Sequence, residues 1–272
     1  MKRIVKYIAL VLIALASFVS CSEKIELDLN SSNTRLVVEG LITDQAGPQG
    51  VILTQSSSYF FNEPAPGVTD ALVTLTDGGQ EWQLTQESAG HYLLPQGFAG
   101  IPGTTYQLSI QHQNTQYEAS AHLREVPMID SLSRLPHPIL PDRDFLVIHF
   151  QEPPQTRDFY MYHIFFNDSL VTDSINKVPF GDDDGVNGRY LSIPVYLFRA
   201  GEEAPQPGDR IRVQKFSISE EYFQFMIALR RNQGTVGGPF TGPPANVPGN
   251  INNGALGFFL ASAVSEVEMV IE

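Results

Sequence analysis

Ala71-Leu72-Val73-Thr74-Leu75-Thr76, then Asp77-Gly78-Gly79, then Glu81-Trp82-Gln83-Leu84-Thr85-Gln86: the fold class turns on this passage. Apolar and polar side chains alternate along the first arm, the period of a strand with one buried face. The residues between the arms suit a hairpin, because glycine accepts positive φ at no steric cost.

The same pattern extends in both directions. Upstream, residues 36–42 and 50–55 read as strands. Downstream, residues 91–94 follow. Tyr106, Leu108 and Ile110 then share one face of a strand, and Tyr117, Ala119 and Ala121 one face of its hairpin partner. Seven short strands in about 90 residues is the size of an immunoglobulin-like β-sandwich, and residues 35–126 are assigned to one. The chain has a single cysteine, Cys21, so this core rests on aliphatic and aromatic burial without a disulfide.

Residues 127–141 hold Pro127, Pro136, Pro138 and Pro141 in a polar setting and read as a linker. Proline fixes φ and removes a donor, so the segment cannot continue a central ladder. A second, mainly-β domain is expected over residues 142–272, with strands at 145–150, 159–166, 189–198, 210–218, 255–263 and 267–271. Apart from His163, residues 159–166 are apolar on both faces, as in a strand covered from both sides. One helix is expected over residues 219–232. Ser219 caps it, Glu220 and Glu221 sit in its first turn, and Arg230 and Arg231 in its last. Tyr222, Phe225, Met226 and Leu229 form an apolar stripe that suits a lid on the second sheet, and Gly234 is a stop.

The amino terminus reads as a lipoprotein signal over residues 1–20. Lys2, Arg3 and Lys6 precede an apolar run from Ile8 to Phe18, too short to span a bilayer and right for a signal core. Ser20-Cys21 is similar to a lipobox, with Phe18 where leucine is preferred. The lone thiol is thereby explained as an acylation site, and residues 21–34 as a polar, acidic tether. More than one acyl chain makes a stable membrane anchor. The formal net charge of the full chain is −13, and cleavage leaves 14 basic against 30 acidic residues. Such a surface repels phosphate backbones and disfavours nucleic-acid binding.

Catalytic chemistry finds little support. The six histidines stand singly, with no pair at a ligand spacing, so neither a metal nor another cofactor is expected. Asp182-Asp183-Asp184-Gly185-Val186-Asn187-Gly188 fails the EF-hand pattern at its fifth, sixth and twelfth positions. Its clustered oxygens still make Asp182, Asp184 and Asn187 a weak cation candidate beside the plainer reading of a solvated acidic turn. There is no G-x-S-x-G elbow and no phosphate loop; an uncharacterised hydrolase is a low-ranking alternative. Two loops are unusual. Tyr59, Phe60 and Phe61 either close the end of the sandwich or stack on a sugar or partner. Residues 237–254, with Phe240, Pro243, Pro244 and Asn246, are read as an ordered loop that serves as a connector or as a contact surface.

Three sets of residues carry a resemblance. Residues 36–44 (LVVEGLITD), Tyr59-Phe60 and residues 68–73 (VTDALV) form the first. Ser217-Ile218-Ser219 with Tyr222 forms the second. Residues 243–247 (PPANV), Gly249-Asn250-Ile251 and residues 254–259 (GALGFF) form the third. Together they resemble a family of Bacteroidetes outer-membrane lipoproteins defined by a domain of unknown function, number 4249. The resemblance implies an outer-membrane location and, from frequent gene neighbourhood, work beside TonB-dependent receptors. Ser22-Glu23 is similar to the acidic signals that send such lipoproteins to the cell surface. The expected function is therefore a non-enzymatic outer-membrane or cell-surface lipoprotein, accessory to a TonB-dependent transporter in nutrient capture. The alternative is a stand-alone surface binding module for glycan or host protein.

Overall fold

In β1 (Leu36–Thr43) burial alternates residue by residue, with Leu36, Val38, Gly40 and Ile42 facing inward. The computed structural model describes residues 34–56, 64–136, 144–196, 206–232 and 247–272. Strand β1 pairs antiparallel with β2 (Gly50–Gln55), β2 with β6 (His91–Leu93), and β6 with β5 (Thr85–Ser88). A second sheet runs β4 (Glu81–Gln83), β3 (Leu72–Thr76), β7 (Thr105–His112), β8 (Thr115–His122). The two sheets enclose one core, with Val38, Ile42 and Leu53 on one side and Val73, Leu75, Leu108 and Ile110 on the other.

The hairpin closes on Asp77, whose Oδ1 accepts the N–H groups of Gly79 (2.9 Å) and Gln80 (2.7 Å). Its second arm is not one strand over 81–86 but two. Leu84 interrupts it: its N–H donates to the Val73 carbonyl at 2.9 Å and its side chain is buried in the core. Strand β4 therefore stays on β3, while β5 crosses to the first sheet.

A second pair of sheets follows. One runs β14 (Tyr190–Tyr196), β10 (Asp144–Gln151), β9 (Ser131–Pro136). The other runs β12 (Ser169–Leu170), β11 (Phe159–Phe166), β15 (Arg210–Ile218), β17 (Val264–Val270), with β13 (Phe180–Asp182) also on β11. Leu146, Ile148 and Phe150 meet Tyr160, Tyr162, Ile164, Ile211 and Val213 between them. The expected linker over 127–141 is corrected for its described part, residues 127–136; residues 137–141 lie outside the described residues. Ser131–Pro136 is an edge strand on β10 and Ile129 is buried. Pro136 is its last residue, and an edge strand tolerates the lost donor.

Strand β16 (Leu256–Ser262) corrects the domain assignment of residues 142–272. It pairs parallel with β1, from Val37↔Leu256 to Thr43↔Ser262, and completes the first sheet. Ala263 alone separates it from β17, so one passage of chain runs from the first pair of sheets into the second. The described residues from Thr34 to Glu272 form one compact unit. The free edge of β16 is closed by a side chain. Asn250 accepts the Phe259 N–H and donates to the Phe259 carbonyl, both at 2.8 Å, as a neighbouring strand would. Asn252 and Asn253 bond the backbone of Glu118 (2.7 Å) and Gln116 (2.6 Å) on β8. The described part of the expected asparagine-rich loop, residues 247–254, thus ties β16 to β8.

Helix α1 (Glu220–Asn232) begins where Ser219 Oγ accepts the Tyr222 N–H at 3.1 Å. It is wedged between the two pairs of sheets instead of lying on one. Phe223 packs on Phe159 of β11 (ring centroids 5.0 Å apart), while Tyr222 and Phe225 pack on Phe258 of β16 (4.9 and 5.2 Å). Arg230 anchors its last turn, donating to the carbonyls of Ile175 (3.0 Å) and Val178 (2.6 Å). The chain is predominantly β-sheet with one packed helix among the described residues.

Candidate functional site

Several expected site residues lie outside the described part of the chain: Cys21, Tyr59, Phe60, Phe61, Phe240, Pro243, Pro244 and Asn246. Two other places gather side chains with functional character.

The first is a groove of about 1020 Å³ between the outer face of the first sheet and the helix. Alternation along β1 decides one wall, because the residues that do not enter the core (Val37, Glu39, Leu41, Thr43) point into it. Leu256, Phe258 and Leu260 of β16 extend this wall. Tyr222, Phe225 and Leu229 of α1 form the other, with Met161 and His163 of β11 and Gln214 and Phe216 of β15. The apolar stripe expected on the helix therefore lines a cavity as well as covering a sheet. Burial pushes the Tyr222 hydroxyl up to about 12, and the Glu39 charge adds to the effect. The lining is apolar with a few convergent polar groups, the usual make-up of a ligand pocket.

His163 stands edge-on to Phe216, with ring centroids 4.7 Å apart, and burial pushes it down to about 4. A histidine held neutral in the fold contributes stability that is whole above its unfolded value of 6.5 and is lost as pH falls through 4. The shift corresponds to roughly 2–3 kcal/mol at pH 4. His163→Gln is expected to remove that share of acid sensitivity. Urea denaturation of both proteins at pH 7 and pH 4 checks it; equal losses in the two proteins would count against His163.

The second place is a buried carboxylate cluster at one end of the second pair of sheets. Glu152 follows β10, Asp158 precedes β11 and Asp183 follows β13, where the chain crosses from sheet to sheet. One oxygen from each lies within 4.8 Å of the others. Glu152 is 0% exposed, Asp183 1% and Asp158 9%. Tyr160 donates to Glu152 Oε1 at 2.7 Å, and Thr156 donates to Asp158 Oδ2. Glu152 Oε2 and both oxygens of Asp183 accept no hydrogen bond. Burial holds the Glu152 carboxyl above its ordinary range, and the nearby Asp158 and Asp183 charges push the same way against the Tyr160 bond.

Lys215 of β15 is fully buried close by. Its Nζ lies 3.3 Å from the centroid of Phe150 and 4.8 Å from that of Tyr160, and it donates no hydrogen bond. Burial pushes it down to about 7, opposed by the charges of Glu152, Asp130 and Asp158.

The cluster bears on the cation candidate read from residues 182–188. Asp182 and Asp184 turn outward to solvent, and Asn187 donates to the Thr156 carbonyl at 3.1 Å. Asp183 between them turns inward, and its partners come from the 152–158 loop. Sequence reasoning missed Glu152 and Asp158 because neither has a motif spacing to Asp183. The one local signal is the pattern of an acidic residue beside Pro153-Pro154.

Comparison with curated proteins finds no match. The family model described as a domain of unknown function (DUF4249) matches residues 22–268. On that match, over nearly the whole chain, this protein belongs to the DUF4249 family.

Proposed function

We propose that this protein is a non-enzymatic, lipid-anchored outer-membrane protein, accessory to a TonB-dependent transporter, that holds an apolar nutrient in the groove between its two pairs of sheets. The groove carries the reading. Its volume, about 1020 Å³, lies at the upper end of small-molecule sites, and its aromatic wall suits an apolar body with a polar end near Glu39. The signal over residues 1–20 and Cys21 supply the anchor. The carboxylate cluster, closed to solvent, offers substrate no approach. We read the first pair of sheets, completed by β16, as an immunoglobulin-like sandwich that presents one wall of the groove.

A second reading, a glycan-binding surface, draws on one observation. Strand β14 exposes Tyr190 (55%) and Tyr196 (69%) on its outer face, with Tyr190 stacked on His149. Aromatic faces set along a strand suit sugar rings.

One experiment separates the two. The acyl-labelled protein is recovered from detergent-solubilised outer membrane, and its partners and co-purifying small molecules are identified. The expected result has three parts: a label lost in Cys21→Ala, a stoichiometric β-barrel partner, and an apolar molecule lost in Leu41→Glu. A glycan-array signal abolished by Tyr190→Ala, with no barrel partner, would support the second reading. Recovery of neither would overturn both.

A further inference from the structure

The geometry points to a calcium site built by Glu152, Asp158 and Asp183 at the end of the second pair of sheets. Two independent observations carry this. The first is distance: two oxygens on opposite sides of a Ca²⁺ ion stand about 4.8 Å apart, twice a Ca–O bond of about 2.4 Å. One oxygen from each of the three carboxylates falls within 4.8 Å of the others. The second is an orphaned group. Asp183 is 1% exposed, is aimed into the cluster, and has no hydrogen bond to either oxygen; Glu152 Oε2 is likewise without a partner. Buried carboxylates are as a rule paired, hydrogen-bonded or metal-bound.

Lys215 does not meet that need, because its Nζ faces the Phe150 ring and donates no hydrogen bond. One buried lysine is too little to compensate three clustered carboxyl groups, and a divalent ion supplies the positive charge that the cluster lacks. The donor set selects the ion. It is all oxygen, which disfavours zinc. The ligands come from two separate connections, Glu152 and Asp158 between β10 and β11 and Asp183 between β13 and β14, which suits the flexible six- to eight-oxygen shell of calcium better than the strict octahedron of magnesium.

The loops are already laced for such a role. Asp183 N–H donates to the Asp158 carbonyl (3.1 Å), Val186 N–H to the Asp183 carbonyl (2.9 Å), and Gly188 N–H to the Pro153 carbonyl (3.2 Å). The ion would fasten the two crossings between sheets, a structural role acquired as the chain folds.

The test uses the full chain, stripped with a chelator and titrated with CaCl₂ or TbCl₃. Wild type is expected to take up one ion saturably. Its melting midpoint should rise by roughly 5–10 °C at a hundredfold excess over Kd. Because the Tyr160 hydroxyl touches Glu152, excitation of tyrosine should sensitise terbium emission that calcium displaces. Asp183→Asn should lose uptake, emission and the calcium-dependent rise. Tyr160→Phe should keep calcium uptake while losing most of the emission, which keeps the proposal testable if Asp183→Asn does not fold. The proposal is overturned by any of three results: wild type without saturable uptake, Asp183→Asn with uptake equal to wild type, or Tyr160→Phe with undiminished emission.

Discussion

Gly257→Ala is expected to destabilise the protein by at least about 3 kcal/mol, through strain and a backbone collision together. Gly257 lies in β16 opposite Val38 with φ at +92°, a region that L side chains rarely adopt. An added Cβ would collide with the carbonyl oxygen of Val38, which is backbone and cannot swing aside. Relief requires β16 to leave β1. That movement opens the core around Phe259, which is 0% exposed, and pulls Phe258 away from α1. The urea midpoint is expected to fall sharply. A cost below about 1 kcal/mol would show that the β1–β16 pairing is not as tight as the geometry requires. The neighbouring loop shares this constraint, because a Cβ on Gly249 would strike the Gly257 carbonyl.

Phe150→Ala is expected to cost about 3–5 kcal/mol for the cavity, and the loss of its contact with Lys215 adds up to about 2 kcal/mol. Phe150 is 1% exposed, stands edge-on to Tyr160 at 5.6 Å, and carries the Lys215 ammonium 3.3 Å from its ring centre. No hydrogen bond holds that ammonium, which sits over the ring face of Phe150. Phe150→Leu separates the two contributions, since it refills most of the volume without a π face. The leucine variant should lose about 1–3 kcal/mol and the alanine variant clearly more. Equal losses would mean that packing alone explains Phe150. A loss in Phe150→Ala below about 2 kcal/mol would contradict the buried geometry.

The residues that carry the family resemblance have a physical meaning in the fold. Gly249, Asn250 and Gly257 belong to one construction at the edge of β16: two close backbone approaches and an amide that replaces a strand. Leu36, Val38 and Ile42 supply the core beneath it, while Glu39 and Leu41 turn out to the groove. What is recognisable in this sequence is therefore mainly scaffold.

Local alternation was enough to read the strands of the first pair of sheets, because a period of two with one buried face is written in neighbouring residues. The helix was equally legible. Its cap, its charged ends and its stripe at Tyr222, Phe225, Met226 and Leu229 all lie within one short segment. The proline-rich stretch misled because composition reports a missing donor but not whether a strand lies at an edge, where that donor is not needed. Leu84 misled because alternation continues through a residue at which the chain changes sheets.

The sequence by itself determined the predominantly β-sheet character, the helix over Glu220–Asn232 and its polarity, and the family, since each is written in local pattern or in short motifs. Three features were decided only by tertiary structure: that β16 returns to β1, that α1 faces a groove, and that Asp183 turns inward to meet Glu152 and Asp158. Each depends on contacts between residues far apart in the chain. Such pairings are selected by burial and charge compensation in the assembled core, and a periodicity confined to neighbours holds no record of them.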